Sequence, residues 1–220
     1  MRRTAGELLE ATTARLAPDP GANPLLPLIA SGAAGLDTLA VLALEQRLVI
    51  AADLRSFSHL AERSATEEPA SAPFFEMLAE GEAVAAEALG AYAEACGVDA
   101  GRAASYEPLP GCQAYPSYVA RLALGAAPAD VVLALSANFS SWGGYCATIS
   151  KALRDHHGFT DQARAFFDFF AEPSPELEER ARSAVQAGLD TGRIDEEAAN
   201  GYGRLLQSYE SMFWTTLARP

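Results

Sequence analysis

An all-α bundle of about seven or eight helices is the fold this sequence predicts, on three observations. Apolar residues recur at helical spacing along most of the 220-residue chain. No segment shows the period-two alternation of a strand, and no repeat of fixed length is present. Breaks rich in Gly, Pro and Asp separate the periodic segments at short intervals. Half of the residues are hydrophobic and a fifth are charged, a balance that supports a packed core and excludes extended disorder. The length fits one domain spanning 1–220.

Taken in order, Glu7 to Leu16 reads as a short helix that stops before the Pro18-Asp19-Pro20-Gly21 break. Asn23 to Gly35 is a mixed apolar and breaker segment leading into the next element. From Leu36 to about Ser64 the pattern is that of one long helix, or two joined end to end, with Leu39, Leu42, Ala43, Val49 and Ile50 along one stripe. Ala65 to Pro73 is a loop, Phe74 to Cys96 a second amphipathic helix, and Gly97 to Gly111 a connection. Tyr115 to Leu124 forms a shorter helix. Pro128 sits where a first-turn proline is tolerated, opening a helix from about Ala129 to Asp155. Gly143 and Gly144 in its middle allow a kink or a close approach by another segment. Thr160 to Phe170 is a further helix, Ser174-Pro175-Glu176 starts another, and Asp195 begins the last, which runs to about Leu217.

Composition excludes several function classes. A net charge of −13 opposes approach to phosphate backbones and anionic membranes, so neither nucleic acid nor membrane is an expected partner. Cys96, Cys112 and Cys146 are widely spaced and odd in number, forming neither a CxxC pair nor a disulfide framework, which points to a reducing cytoplasm. The N-terminal segment has two arginines but no continuous apolar stretch, and no apolar run reaches the length of a membrane span. The expected protein is cytoplasmic, neither exported nor embedded.

The sharpest chemical signal is on the last helix. At about 100° per residue, Glu210 lies at the centre of a stripe made by Gly203, Leu206, Phe213, Trp214 and Leu217. A carboxylate aimed at a core needs a donor, a cation, a ligand or a solvent-filled pocket. It either ties helices together or serves a site. On the long second helix Gln46 and Asp53 share the stripe of Leu39, Leu42, Val49 and Ile50. Asp53 is expected at the solvated edge of that stripe. Gln46 presents both donor and acceptor, as the amine and ring-nitrogen edge of a heterocycle requires. Asn138 shares a face with Val131, Ala134, Leu135, Trp142 and Tyr145, and Tyr115 lines up with Tyr118, Val119 and Leu122. Aromatics at this spacing are ordinarily core. Together with Gln46, Asn138 and Glu210 they read as a mostly apolar small-molecule pocket.

These residues carry a resemblance. Ser208 to Trp214, SYESMFW, is similar to the closing signature of the TenA (thiaminase II) family, a glutamate followed three and four residues later by Phe and Trp. Asn23 to Gly32 resembles the family's opening pattern, and its Gln-Asp pair falls on Glu45-Gln46. Ala114 to Tyr118 resembles the segment with the pocket tyrosine, which places that role on Tyr115. A gapless run from there puts the family's cysteine on Asn138 and a later pocket aromatic on Trp142. The resemblance covers nearly the whole chain and implies a haem-oxygenase-like fold. It also implies hydrolysis at an aminopyrimidine, in which a cysteine attacks the ring, a glutamate manages protons and an aspartate holds the amino edge. Here the acid/base survives as Glu210. The nucleophile is replaced by Asn138 and the aspartate by Gln46, with Asp53 two turns along the stripe to compensate. Cys112, one turn before Tyr115, and Cys146, two turns after Asn138, are candidate substitutes, though both are more readily read as buried and inert.

The function expected is therefore binding, and hydrolysis or deamination, of a small thiamine-related heterocycle. Glu210 serves as acid/base, with Gln46, Asp53, Tyr115, Asn138, Trp142, Phe213 and Trp214 as the binding residues. The alternative is a non-catalytic binder or regulator that keeps the pocket. An oxygenase ranks last, because haem or paired iron needs inward histidines and only His59, His156 and His157 exist, the latter two at a helix end. No cofactor or metal is expected, and self-association into a homo-oligomer is.

Overall fold

The computed structural model describes residues 3–19 and 21–219. Met1, Arg2, Pro220 and Pro20 of the predicted break lie outside the described residues. Among the described residues are ten α-helices, one short 3-10 turn at Pro69–Ser71 and no strand. The helices are α1 (Ala5–Leu16), α2 (Leu25–Ala30), α3 (Leu36–Glu67), α4 (Ala72–Ala95), α5 (Ala100–Ser105), α6 (Pro110–Gly125), α7 (Pro128–His157), α8 (Asp161–Ala171), α9 (Pro175–Thr191) and α10 (Glu196–Leu217). Eight correspond to the predicted elements. The two additional ones, α2 and α5, have six residues each, too few turns to show a period.

Capping chemistry explains where the helices begin. Thr4 and Glu7 form a reciprocal capping box before α1. Thr160 accepts from the Ala163 amide at α8, and Asp195 from the amides of Glu197 and Ala198 at α10. At α9 the Ser174 side chain makes no cap bond, and Pro175 at the first position marks the start. α3 is one continuous helix. α6 starts earlier than its periodicity indicates, at Pro110, because a proline in the first turn forfeits no hydrogen bond. α7 runs unbroken through Gly143 and Gly144. A Cβ on Gly143 would stand 3.1 Å from the Phe170 carbonyl oxygen, so the glycine admits the end of α8. Gly158, at φ 66°, caps α7 in the left-handed conformation.

α3 and α4 form the main antiparallel pair, pinned at one end by the Tyr92 hydroxyl, which donates to the Leu39 carbonyl at 3.0 Å. α6 packs against α3 and α10, and α10 packs on α7. α8 joins α7 to α4, while α1 and α9 cover the other end of α7. The buried apolar side chains fall into two clusters at opposite ends of the bundle. One contains Leu8, Phe57, Phe75, Val119, Leu135 and Leu206. The other contains Leu39, Ile50, Leu89, Cys146, Phe166 and Trp214. Among the described residues no helix is long and apolar enough to cross a membrane.

Candidate functional site

Five helices each place one polar side chain at the boundary between the two clusters. On α3, Asp53 stands between Ile50 of one cluster and Phe57 of the other. On α4, Glu82 stands between Ala85 and Leu78. On α6, Tyr115 separates Cys112 from Tyr118. On α7, Asn138 separates Leu135 from Trp142, and on α10 Glu210 separates Leu206 from Phe213. Each lies three or four residues from its apolar neighbours, so the helical repeat that builds the two clusters also aims these groups at their seam. The result is a polar layer across the bundle.

Within it Asn138 is the hub. The Tyr115 hydroxyl donates to Asn138 Oδ1 at 3.0 Å, and Asn138 Nδ2 donates to Glu210 Oε2 at 2.7 Å. Trp214 Nε1 donates to the other carboxylate oxygen at 3.3 Å. This orientation of the amide is the only one that gives a carboxylate a donor and a phenol an acceptor. Burial raises the Glu210 pKa, and the bonds from Trp214 and Asn138 hold it down. Burial first, then the charges of Asp53, Glu210 and Glu82, push the Tyr115 phenol well above its ordinary range, so it stays a donor. Trp142 and Trp214 lie side by side with ring centres 6.0 Å apart, and Phe213 meets Trp214 edge-on at 5.2 Å. The predicted residues Tyr115, Asn138, Trp142, Glu210, Phe213 and Trp214 are thus brought together.

The two α3 residues differ. Gln46 is buried as expected, two turns from Asp53 along α3. Asp53 is not at a solvated edge: it is 4% exposed, because both α4 and α6 pack on α3. Its Oδ1 is buried with no hydrogen-bond partner. Burial and the Glu82 charge raise its pKa well above the usual carboxylate range. Glu82 is missing from the sequence reading although the signal was there, since it shares a stripe with Phe75, Leu78, Ala85 and Leu89. Glu45 was missed because its partners are tertiary: its buried carboxylate accepts from Tyr106, Gln113 and, at 2.7 Å, the Leu109 amide, tying the α5–α6 connection to α3.

Burial lifts Glu82 from an ordinary 4.5 to about 8. Between those values the folded chain keeps a proton that the unfolded chain releases, so stability falls as pH rises through the window. Asp53 acts in the same direction. The expected result is that wild-type melting temperature declines across this range and that Glu82→Gln flattens the decline, raising stability at its upper end. Melting curves by circular dichroism at a series of pH values check it.

The thiols do not supply a nucleophile. All three are buried. Burial, then the Glu45 charge, pushes Cys112 up to about 12, and its Sγ rests 3.9 Å from the Phe213 carbonyl oxygen. Burial, then Glu210, raises Cys146, and burial lifts Cys96 to about 11. Thiols held this high stay protonated and inert. His59 is exposed, and His156 and His157 stand at the end of α7, remote from the layer. Among the described residues no three of His, Cys, Asp and Glu converge as metal ligands do. Two surface grooves flank the layer without reaching Glu210. One opens between α3 and α4 at Ser58, Ala61, Glu62, Glu76, Ala79 and Glu80, the other between the start of α6 and the end of α10 at Gly111, Met212, Thr216 and Arg219.

Residues 24–219 match the sequence model of the TENA/THI-4/PQQC family. Among solved structures, the chain is similar to a TenA homologue protein from P. horikoshii OT3, at 15% identity and TM-score 0.70, covering 99% of both chains. It is also similar to a domain of unknown function with a heme oxygenase-like fold from Shewanella denitrificans OS217, at 15% identity and TM-score 0.64, covering 97% of this chain and 87% of that one. No curated protein matches the sequence. The bundle is therefore of the haem-oxygenase-like kind, with asparagine where the family resemblance places cysteine.

Proposed function

The chain belongs to the TENA/THI-4/PQQC family, and from that premise we propose that its polar layer binds a small, thiamine-related aminopyrimidine, with Glu210 managing the proton in cleavage of a C–N bond. The observation that carries this reading is the Tyr115–Asn138–Glu210 chain of hydrogen bonds, formed by residues on which the sequence resemblance puts the family's site. The faces of Trp142 and Trp214 suit a flat ring, Phe213 backs them, and the Gln46 amide matches a ring edge that both donates and accepts. Asp53 stands beside Tyr115 on the α3 side of the seat.

With inert thiols and an asparagine at position 138, water is the nucleophile this site has to use. Glu210 as carboxylate takes a proton from water while the oxygen bonds to the carbon bearing the leaving nitrogen. As the C–N bond breaks, the same carboxyl returns that proton to the departing amine. Asn138 and Tyr115 fix the carboxyl in place. Because burial raises Glu210, turnover is expected to climb with pH through a midpoint above that of an ordinary glutamate.

The test follows ammonia or amine release from 4-aminopyrimidines and their aminomethyl derivatives at high protein concentration, beside thermal melts with the same compounds. Product together with stabilisation supports the proposal. A ligand at one hundred times its Kd should stabilise the fold by about 2.7 kcal/mol. The second reading, a binder without chemistry, is favoured by the three buried thiols; its mark is stabilisation without product. No stabilisation by any of these compounds contradicts both.

A further inference from the structure

The charges of this chain are unevenly placed. It has 29 acidic and 16 basic residues. α6 nevertheless holds no acid, and α10 beyond its first turn holds only Glu210, which turns inward to Asn138 and Trp214. The two helices pack side by side in opposite directions, since Gly111 abuts Thr216, Cys112 meets Phe213 and Tyr118 meets Tyr209. Their outer sides therefore make one continuous surface on which Arg121 and Arg204 stand exposed without a neighbouring acid from either helix. Among the described residues neither arginine forms an ion pair.

The same surface leaves large apolar side chains uncovered. Leu205 and Met212 are 41% and 44% exposed, and they stand two turns apart on one line of α10 with Ser208 between them. Leu124, 76% exposed, follows Arg121 by one turn on the outer side of α6, and the antiparallel register sets it at the Leu205 end of the face. A groove lined by Ser208, Ser211, Met212 and Thr215 continues the surface toward the end of α10. Exposed apolar side chains gathered on one face mark a surface that meets another protein. By contrast, the exposed Val84 of α4 and Phe169 of α8 are bordered by Glu80, Glu87 and Glu172.

Two copies of a chain with net charge −13 repel each other at long range, so a contact between them is least opposed where neither presents a carboxylate. We propose that the α6–α10 face is the interface with a second copy of this chain, the two α10 helices crossing antiparallel about a two-fold axis through Ser208. In that register Leu205 of each copy lies against the partner's Ser211 and Met212. Glu197 and Arg219, both exposed, stand equally far before and after Ser208, so the same axis sets each Glu197 opposite the partner's Arg219. The face is thus complementary to itself in charge as well as apolar, which is what an isologous contact requires and what a foreign acidic partner would not need. Arg121 asks for no carboxylate, because its guanidinium lies 5.6 Å from the centre of the Tyr118 ring. Glu210 and Tyr115 point away from this face, so the interface does not depend on the heterocycle reading.

Sedimentation equilibrium of the full chain at physiological ionic strength tests the interface. Wild type is expected as a dimer or an assembly of dimers. Leu205→Glu and Met212→Glu bring like charges together across the axis and should each weaken association by roughly tenfold or more. Both side chains are exposed in the single chain, so circular dichroism should show the helical content kept, which separates lost association from lost fold. Arg219→Glu should weaken association by roughly fivefold, and adding Glu197→Arg to the same chain should recover most of that loss. Val84→Glu, outside the face, should change nothing. A monomeric wild type overturns the proposal, as does an oligomer that Leu205→Glu and Met212→Glu leave intact. Dissociation by Val84→Glu would put the contact on α4 and α8 and overturn it too. No recovery in the charge-swapped chain overturns the two-fold through Ser208.

Discussion

Trp214→Ala destabilises the folded chain by about 3–5 kcal/mol. Trp214 is 1% exposed and is the largest fully buried side chain of the second cluster. Its ring meets Phe213 at 5.2 Å and Tyr145 at 6.0 Å edge-on, and lies beside Trp142. Deleting it opens a cavity between α7 and α10 that neighbours on two long helices cannot collapse to fill. The indole also donates to Glu210, a bond that favours the charged carboxyl. Its loss raises that pKa further, so the penalty grows with pH. Trp214→Phe keeps most of the packing and gives up the donor, and is expected to cost only about 1.5–3 kcal/mol. Denaturant unfolding of the three proteins at two pH values measures both components. A Trp214→Ala cost near that of an exposed site would contradict the description of the seam.

Glu210→Gln lowers turnover by roughly 10²–10⁴ while leaving the fold intact. Glutamine has the volume of glutamate, and its amide oxygen accepts from one of the two donors that now meet the carboxylate, Asn138 and Trp214. What it cannot do is take a proton from water. The variant is therefore expected to keep its melting temperature to within a few degrees, retain some stabilisation by an aminopyrimidine, and form almost no product. Asn138→Asp is the informative companion. It puts a second carboxyl beside Glu210, raises the pKa of the pair, and shifts the rising limb of the pH–rate curve upward. A Glu210→Gln protein with wild-type turnover would remove Glu210 from the chemistry.

How much of this was legible in the sequence differs between residues for identifiable reasons. Glu210 was legible because one carboxylate in the middle of a stripe of Leu206, Phe213 and Trp214 has no other explanation on a helical wheel. Asn138 and Tyr115 were legible for the same reason, and their mutual hydrogen bond follows from neutral phenol chemistry once α10 packs on both α6 and α7. Glu82 obeyed the same rule and was overlooked amid the many glutamates of α4. Asp53 was misjudged because a wheel cannot tell whether one or two helices will cover a face, and here both α4 and α6 do. Glu45 lies beyond any periodicity argument, since its three donors come from residues 61–68 positions further along. The long helices were predictable from their period. The six-residue α2 and α5 were not, because a single turn and a half carries too few apolar positions to define one.

The central claim is that the Tyr115–Asn138–Glu210 chain is the floor of a ligand site and not only a tie between three helices. A crystal structure of the protein grown with a 4-aminopyrimidine tests it most directly. The account predicts the ring against Trp142 and Trp214, its amino group donating to Glu210, with Asn138 still bound to Tyr115. A ring bound elsewhere on the chain, or an unchanged seam at saturating ligand, would contradict it and leave the polar layer a structural element.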